Sequence, residues 1–140
     1  MKRLLFSIAA IVVVLTTQAQ EVKPFKGYYA NDEYNVYMRI DLYSDGIDIP
    51  EHVLYGPLPG FLAKRHNGFY WVITSAQVVS DKEAKVEFIN DYGSEDLEAT
   101  FTMKNDSTLV LHQGEGSTIK IPVDGKWKKL PNKLEFKKIY

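Results

Sequence analysis

The chain has 140 residues, a formal net charge of −1, 45% hydrophobic residues and no cysteine. This composition is typical of one globular domain and excludes a scaffold held together by disulfide bonds. The basic residues do not form a stripe with interleaved aromatic residues, so nucleic acid is not an expected partner.

The N-terminus has the pattern of a secretory signal peptide. Residues 1–3 include two basic side chains, residues 4–15 form an apolar run, and Ala19 fits the last position before a cleavage site. The run is too short for a comfortable membrane span, and no later stretch approaches spanning length. We therefore expect residues 1–19 to be removed and residues 20–140 to form a single periplasmic or secreted domain. Without a cysteine, we expect no lipid anchor.

Alternating apolar and polar residues dominate the remainder of the chain, and no segment keeps a 3.6-residue apolar period over the length of a helix. Short segments rich in Gly, Asn, Asp and Ser separate the runs and are typical of turns. The pattern predicts eight or nine antiparallel strands in an all-β, up-and-down meander, closed as a lipocalin-like barrel; a two-sheet sandwich is the alternative. The clearest alternating runs are residues 36–43, 84–89, 97–104, 109–111, 119–121 and 134–136.

Three prolines and two glycines predict a long irregular loop over residues 50–60, because proline cannot donate to a sheet ladder. Hydrophobic side chains at Leu54, Leu58, Phe61 and Leu62 would make this loop a contact for another protein. An envelope interaction, or an inhibitor or immunity-type role through residues 50–62, is therefore one predicted function.

Residues 90–101, NDYGSEDLEATF, place four acids between two alternating runs. A two-residue turn at Gly93 and Ser94 would pair Phe88 with Ala99 and set Asp91 opposite Asp96. An acidic hairpin end in water is the favoured interpretation. A weaker alternative is a calcium site formed by Asp91, Glu95 and Asp96 with the Asn90 side chain. A carboxylate pair for acid/base catalysis is the third interpretation.

Tyrosine is unusually frequent, with nine in the chain. Alternation places Tyr37, Arg39, Asp41 and Tyr43 on the solvent side of one strand. Tyrosine and arginine are enriched at recognition surfaces, because they provide large contact areas with few rotatable bonds. The candidate surface for a ligand or partner therefore comprises Tyr37, Arg39, Tyr43, Tyr55, Leu58 and Phe61.

Catalytic and metal-binding patterns are not evident in the sequence. The histidines His52, His66 and His112 lack metal-ligand spacing, and the serines lack a nucleophile-elbow motif. No glycine-rich phosphate loop is present. We predict a protein that is not an enzyme and needs no cofactor.

Four segments together resemble a recurring family of small secreted bacterial proteins of unassigned function. They are YGPLPGF at residues 55–61, WVIT at 71–74, NDYGSEDLEATF at 90–101 and KWKKLP at 126–131. The likeness covers nearly all of residues 20–140 and implies secretion, but it assigns no site residue.

The meander also resembles the calycins, the group of lipocalins and fatty-acid-binding proteins. Gly27, Tyr28 and Tyr29 stand where lipocalins have G-x-W, with tyrosine in place of tryptophan. Fatty-acid-binding proteins hold a carboxylate with arginine and tyrosine inside the barrel, whereas the predicted inward positions here carry no charge. The resemblance therefore implies a barrel but no fatty-acid head-group site.

These observations predict an exported, monomeric binding module. Its ligand would be a small apolar molecule in the barrel, or a glycan or protein on the tyrosine-bearing face. An eight-stranded barrel is just wide enough to hold one small ligand or to be filled by its own side chains. The large predicted inward residues Met38, Phe88, Phe101, Met103 and Phe136 make the filled barrel at least as compatible with the sequence.

Overall fold

The described part of the chain is built almost entirely of β-strands. The structure is a computed structural model that describes residues 23–43, 46–50, 54 and 56–140. The predicted signal peptide and its cleavage site lie outside these residues. Within them, no helix is both long and apolar enough to cross a bilayer.

Eight of the strands form a closed antiparallel barrel, which confirms the predicted up-and-down meander. Around the barrel the order is β1, β2, β5, β6, β7, β8, β9 and β12, and β12 pairs back with β1. The remaining strands form two small ribbons, β3 with β4 and β10 with β11. The strands are β1 Lys26–Asn31, β2 Val36–Asp41, β3 Ile47–Asp48, β4 Pro57–Leu58, β5 Gly60–Lys64, β6 Tyr70–Val78, β7 Glu83–Asn90, β8 Asp96–Asn105, β9 Thr108–Gly116, β10 Lys120–Val123, β11 Lys126–Lys129 and β12 Lys133–Lys138.

The barrel interior is filled by the chain's own side chains. The alternating apolar residues of the predicted strands point inward and form one continuous core. Every buried side-chain nitrogen and oxygen among the described residues has a hydrogen-bond partner. The largest fully buried side chains include Tyr29, Met38, Trp71, Phe88, Phe101 and Phe136.

The β10–β11 hairpin closes one end of the barrel, which we call the hairpin end. Ile119, Ile121 and Leu130 from this excursion are buried in the barrel core. Gln113 in β9 is 7% exposed and holds both ends of the excursion. Its Oε1 accepts a hydrogen bond from Ile119 N–H at 2.7 Å, and its Nε2 donates to the carbonyls of Leu130 at 3.3 Å and Pro131 at 2.9 Å.

The opposite end of the barrel is closed by the segment before β1. Phe25 is fully buried in the core, and its N–H donates to the Tyr43 hydroxyl at 3.1 Å. The Tyr29 hydroxyl donates to the Pro24 carbonyl at 2.5 Å. These bonds hold the segment before β1 across this end of the barrel.

A second apolar layer lies outside the barrel wall. Phe61, Ala63, Tyr70 and Val72 face outward but are buried, because Ile47, Ile49 and Leu58 of the β3–β4 segment pack on them. The prediction that Phe61 and Leu62 belong to an exposed loop is therefore wrong: both are buried in β5. Pro57 lies in β4 and pairs with Asp48, and β5 begins at Gly60, where an added Cβ would collide with the Arg39 carbonyl oxygen.

The predicted β7–β8 register is wrong by two residues. Phe88 pairs with Leu97 and Ile89 with Asp96, and Asn90 N–H donates to the Glu95 carbonyl at 3.0 Å. Four residues, 91–94, therefore lie between the bonded residues, and Asp91 does not face Asp96. The Asn90 side chain stabilises this loop, because its Oδ1 accepts hydrogen bonds from Ser94 N–H at 2.9 Å and Glu95 N–H at 3.1 Å. A two-residue shift keeps every side chain on its predicted face, so the apolar pattern could not distinguish the two registers.

We expect Gln113→Leu to lower the free energy of unfolding by about 2 kcal/mol, because the buried Ile119 N–H and two carbonyls lose their partner. Urea denaturation measures the change. His112→Ala, at the exposed neighbouring position of β9, is the control and should change the free energy by less than about 0.5 kcal/mol. Equal effects of the two variants would contradict the role of Gln113.

We expect the protein to lose stability as the pH rises from 10 towards 12. Burial, and next the nearby Tyr43, raise the pKa of Tyr29 from 10.0 to about 12. The unfolded chain then releases this proton at a lower pH than the folded protein, so the stabilisation is complete below pH 10 and is lost above it. Urea midpoints at successive pH values should fall less steeply for Tyr29→Phe than for the wild type. Parallel curves would refute this assignment.

Candidate functional site

The predicted tyrosine-bearing face is largely covered. Tyr37 is half-buried, and its ring packs edge-on against Phe61 with 5.8 Å between centroids. Burial, and next Tyr28, raise the pKa of Tyr37. Arg39 is exposed and lies over the Tyr28 ring at 5.3 Å. Of the β2 side chains predicted to face solvent, Arg39 is thus the one that the structure leaves exposed.

Of the other predicted surface residues, Phe61 pairs with Arg39 across β2 and β5 but is buried, and the remaining ones leave no exposed surface beside Arg39. Tyr43 is half-buried at the opposite end of the barrel, where its hydroxyl accepts the bond from Phe25. Asp41, predicted to face solvent, is 7% exposed and accepts a hydrogen bond from Tyr43 N–H at 3.1 Å. Leu58 is half-buried in the outer apolar layer, and Tyr55 lies outside the described residues.

The acidic hairpin does not assemble into a cation site. Glu95 pairs with Lys120 at 3.0 Å, and the Asn90 side chain is used to hold its own loop. The weak calcium candidate Asp91, Glu95 and Asp96 therefore has no common centre. Nowhere in the described ranges do three acidic or histidine side chains come together in a way that could hold a metal ion.

Three aromatic side chains meet on the surface at the hairpin end. Phe69 contacts Trp127 edge-on, with 4.8 Å between ring centroids, and Tyr92 at a tilt of 47°, with 5.9 Å between centroids. Tyr92 is 77% exposed and Trp127 is 55% exposed, whereas Phe69 is half-buried beneath them. We call Phe69, Tyr92 and Trp127 the aromatic cluster.

Three different connections position the aromatic cluster. Phe69 ends the β5–β6 turn, where its N–H donates to Asn67 Oδ1 at 2.8 Å. Tyr92 lies in the loop stabilised by Asn90. Trp127 is the second residue of β11, which follows a two-residue turn. The turn residues Asp124 and Gly125 both have positive φ, as tight hairpins of this twist require.

The hairpin that carries Trp127 is fixed to the barrel by several bonds. Trp71 Nε1–H donates to the Lys120 carbonyl at 2.9 Å, and Lys64 Nζ donates to the Pro122 carbonyl at 2.7 Å. Lys128 Nζ lies over the Tyr34 ring at 5.1 Å. The position of the Trp127 ring is therefore set by the barrel rather than by a free loop.

The rim of the aromatic cluster carries both charge signs. Lys129 is exposed on the same face of β11 as Trp127, and Asp91 precedes Tyr92 in the chain. Lys120 is neutralised by Glu95, and Arg65 pairs with Asp32 at 2.8 Å in the neighbouring turns. This mixture provides hydrogen-bond donors and acceptors without a strong field of one sign.

Sequence reasoning missed the aromatic cluster because its members lie 23 and 35 residues apart in the chain. Residues 126–129 form a strand in which all four residues are exposed. The available signal was a tryptophan within that run of lysines.

Comparisons of the chain with protein-family models, with curated proteins and with solved structures find no match. The resemblances to a secreted bacterial family and to the calycins stay predictions, and the function has to be argued from the geometry of the chain.

Proposed function

We propose that this protein is an exported, non-enzymatic binding module that recognises a carbohydrate through the aromatic cluster. The observation that carries the proposal is the collection of Phe69, Tyr92 and Trp127 at one exposed end of a barrel whose interior is filled. Export rests on the signal-peptide pattern, and the non-enzymatic role rests on the lack of catalytic motifs in the sequence.

A carbohydrate suits this surface because a sugar ring has apolar C–H faces and polar edges. The exposed faces of Trp127 and Tyr92 offer apolar area with a polar handle on each ring. Lys129, on the same face of β11 as Trp127, offers a charged donor for sugar hydroxyls. Binding sites of this kind combine aromatic area with a few placed polar groups.

The size of the aromatic cluster favours a small ligand over a stable protein partner. An aromatic side chain has a surface area of about 200 Å². With the exposed fractions above, the exposed area of the aromatic cluster is on the order of 300 Å². A stable protein interface buries about 800 Å² on each partner. The mixed rim charges likewise give little electrostatic attraction to a polyanion or an anionic lipid surface.

The filled interior supports recognition on the outside of the barrel. A ligand inside would have to displace side chains such as Phe88, Phe101 and Phe136, all of which are fully buried. Losing the packing of one such side chain costs about 3–5 kcal/mol. A surface ligand avoids that cost.

We expect Trp127→Ala to weaken carbohydrate binding at least about tenfold, because a central tryptophan commonly contributes 2 kcal/mol or more to binding. A glycan array with polysaccharide pull-downs would identify the bound sugar, and calorimetry would measure the affinity. Tyr140→Ala is the matched control, since Tyr140 is 76% exposed but packs on Tyr28, away from the aromatic cluster. Failure of the wild type to bind any glycan, or equal loss in both variants, would overturn the proposal.

A protein contact through the β3–β4 segment is the second candidate function. Leu54 is fully exposed beside a segment whose other apolar residues, Ile47, Ile49 and Leu58, are packed on the barrel. Burial of the Leu54 side chain in a partner would remove its apolar surface from water.

We expect Leu54→Asp to abolish capture of a specific envelope protein if this second function operates, because the charge would oppose burial of the contact. Cross-linking followed by mass spectrometry would identify the partner. Val79→Asp places the same charge at another half-exposed apolar position and should leave capture unchanged. Capture that survives Leu54→Asp would exclude the contact.

A further inference from the structure

Two adjoining hollows form a groove on the outer face of β6, β7, β8 and β9. Their volumes are about 660 Å³ and 340 Å³, and Glu87, Glu98 and Glu115 line both of them. We call this surface the outer groove. It differs from the barrel interior because the polar side chains of these strands face it.

Backbone irregularities and small side chains make this face concave. The β6–β7 pairing shifts register between Ile73 and Ser75, and the β8–β9 pairing shifts between Leu97 and Ala99. Such bulges bend and twist a strand locally. Ser75 and Gly114 line the groove with little side-chain bulk.

The outer groove offers hydrogen-bonding groups at successive positions along its length. Ser75 Oγ donates to Glu87 Oε2 at 3.0 Å, and Glu87 pairs across the strands with Glu98. Lys85 and Thr100 form the next pair, so donors lie beside these acceptors. The facing carboxylates repel each other by about 0.2–1 kcal/mol, and hydroxyl donors from a ligand would relieve part of this repulsion.

One end of the outer groove lies near the ends of β7 and β8 that the loop carrying Tyr92 connects. Ile89 and Asp96 pair at this end, and Tyr92 is three residues from Ile89 in the chain. From the Lys85–Thr100 pair to the Ile89–Asp96 pair, the strands rise about 13 Å. That distance accommodates a short run of sugar rings in line with the aromatic cluster.

We propose that a linear oligosaccharide chain lies along the outer groove and extends from it onto the aromatic cluster. This inference rests on the proposed carbohydrate-binding function and specifies its substrate class as a polymeric glycan rather than a single sugar. The continuity of the outer groove with the aromatic cluster and the alternation of donors and acceptors support a glycan as occupant. A peptide would need an unpaired strand edge to use its backbone, whereas β7 and β8 are paired on both sides here.

The test compares short and long chains on the same protein. Maltose with maltohexaose, and diacetylchitobiose with its hexamer, serve as calorimetric probes beside the glycan identified on the array. We expect the longer chain to bind at least about tenfold more tightly, since added contacts along the outer groove accumulate free energy. Ser75→Tyr, which fills the groove at an exposed position, should remove this gain and leave binding of the short chain unchanged.

Thr102→Tyr is the matched control, because Thr102 is exposed on the outer face of β8 but does not line the groove. It should keep the gain with chain length. If short and long chains bind with equal affinity and Trp127→Ala still loses binding, the role of the outer groove is refuted while the role of the aromatic cluster is retained. Absence of binding by every saccharide would overturn both. Tight binding only to cationic peptides would replace the glycan with a different occupant and refute this inference.

Discussion

The amide of Gln113 is the interaction on which the covered hairpin end of the barrel and the candidate site both depend. Its oxygen and nitrogen bind the two ends of the excursion that carries β10 and β11, at Ile119 and at Leu130 and Pro131. An amide suits this position because it donates and accepts at once, and both functions are used while it is buried. The excursion is thereby held to the wall, with its apolar residues sealing the core and Trp127 facing outward.

Filling the barrel and building a surface site are therefore two results of one packing arrangement. The hairpin that seals the hairpin end with Ile121 is the hairpin that presents Trp127. Bonds from Trp71 and Lys64 fix it on the barrel, so the aromatic cluster gains a rigid base from the core. Preorganisation of this kind lowers the entropy lost when a ligand binds.

The outer surface of the barrel has a side that other segments cover and a side that is exposed to water. On the β5 and β6 side, the β3–β4 segment covers Phe61 and Val72, and these outward residues are as fully buried as the core. On the β7 and β8 side, Glu87 and Glu98 remain exposed along the outer groove. Tyr37, half-buried against Phe61, belongs to the covered side, so alternation alone could not show whether an outward residue meets water.

Period-2 alternation by itself determined the strand faces, because Val86, Phe88, Leu97 and Phe101 can be buried together in only one parity. The pairing of β12 with β1 decided that the meander closes as a barrel rather than a two-sheet sandwich. Tertiary structure decided the rest. The four-residue loop arises because Asn90 bonds backbone N–H groups that local turn propensity does not count. Phe61 is covered by a segment that returns over the wall, and Phe69, Tyr92 and Trp127 meet only because three connections converge at one barrel end. Contacts between residues distant in the chain leave no periodic signal in the sequence. The candidate site therefore could not be predicted without the tertiary structure.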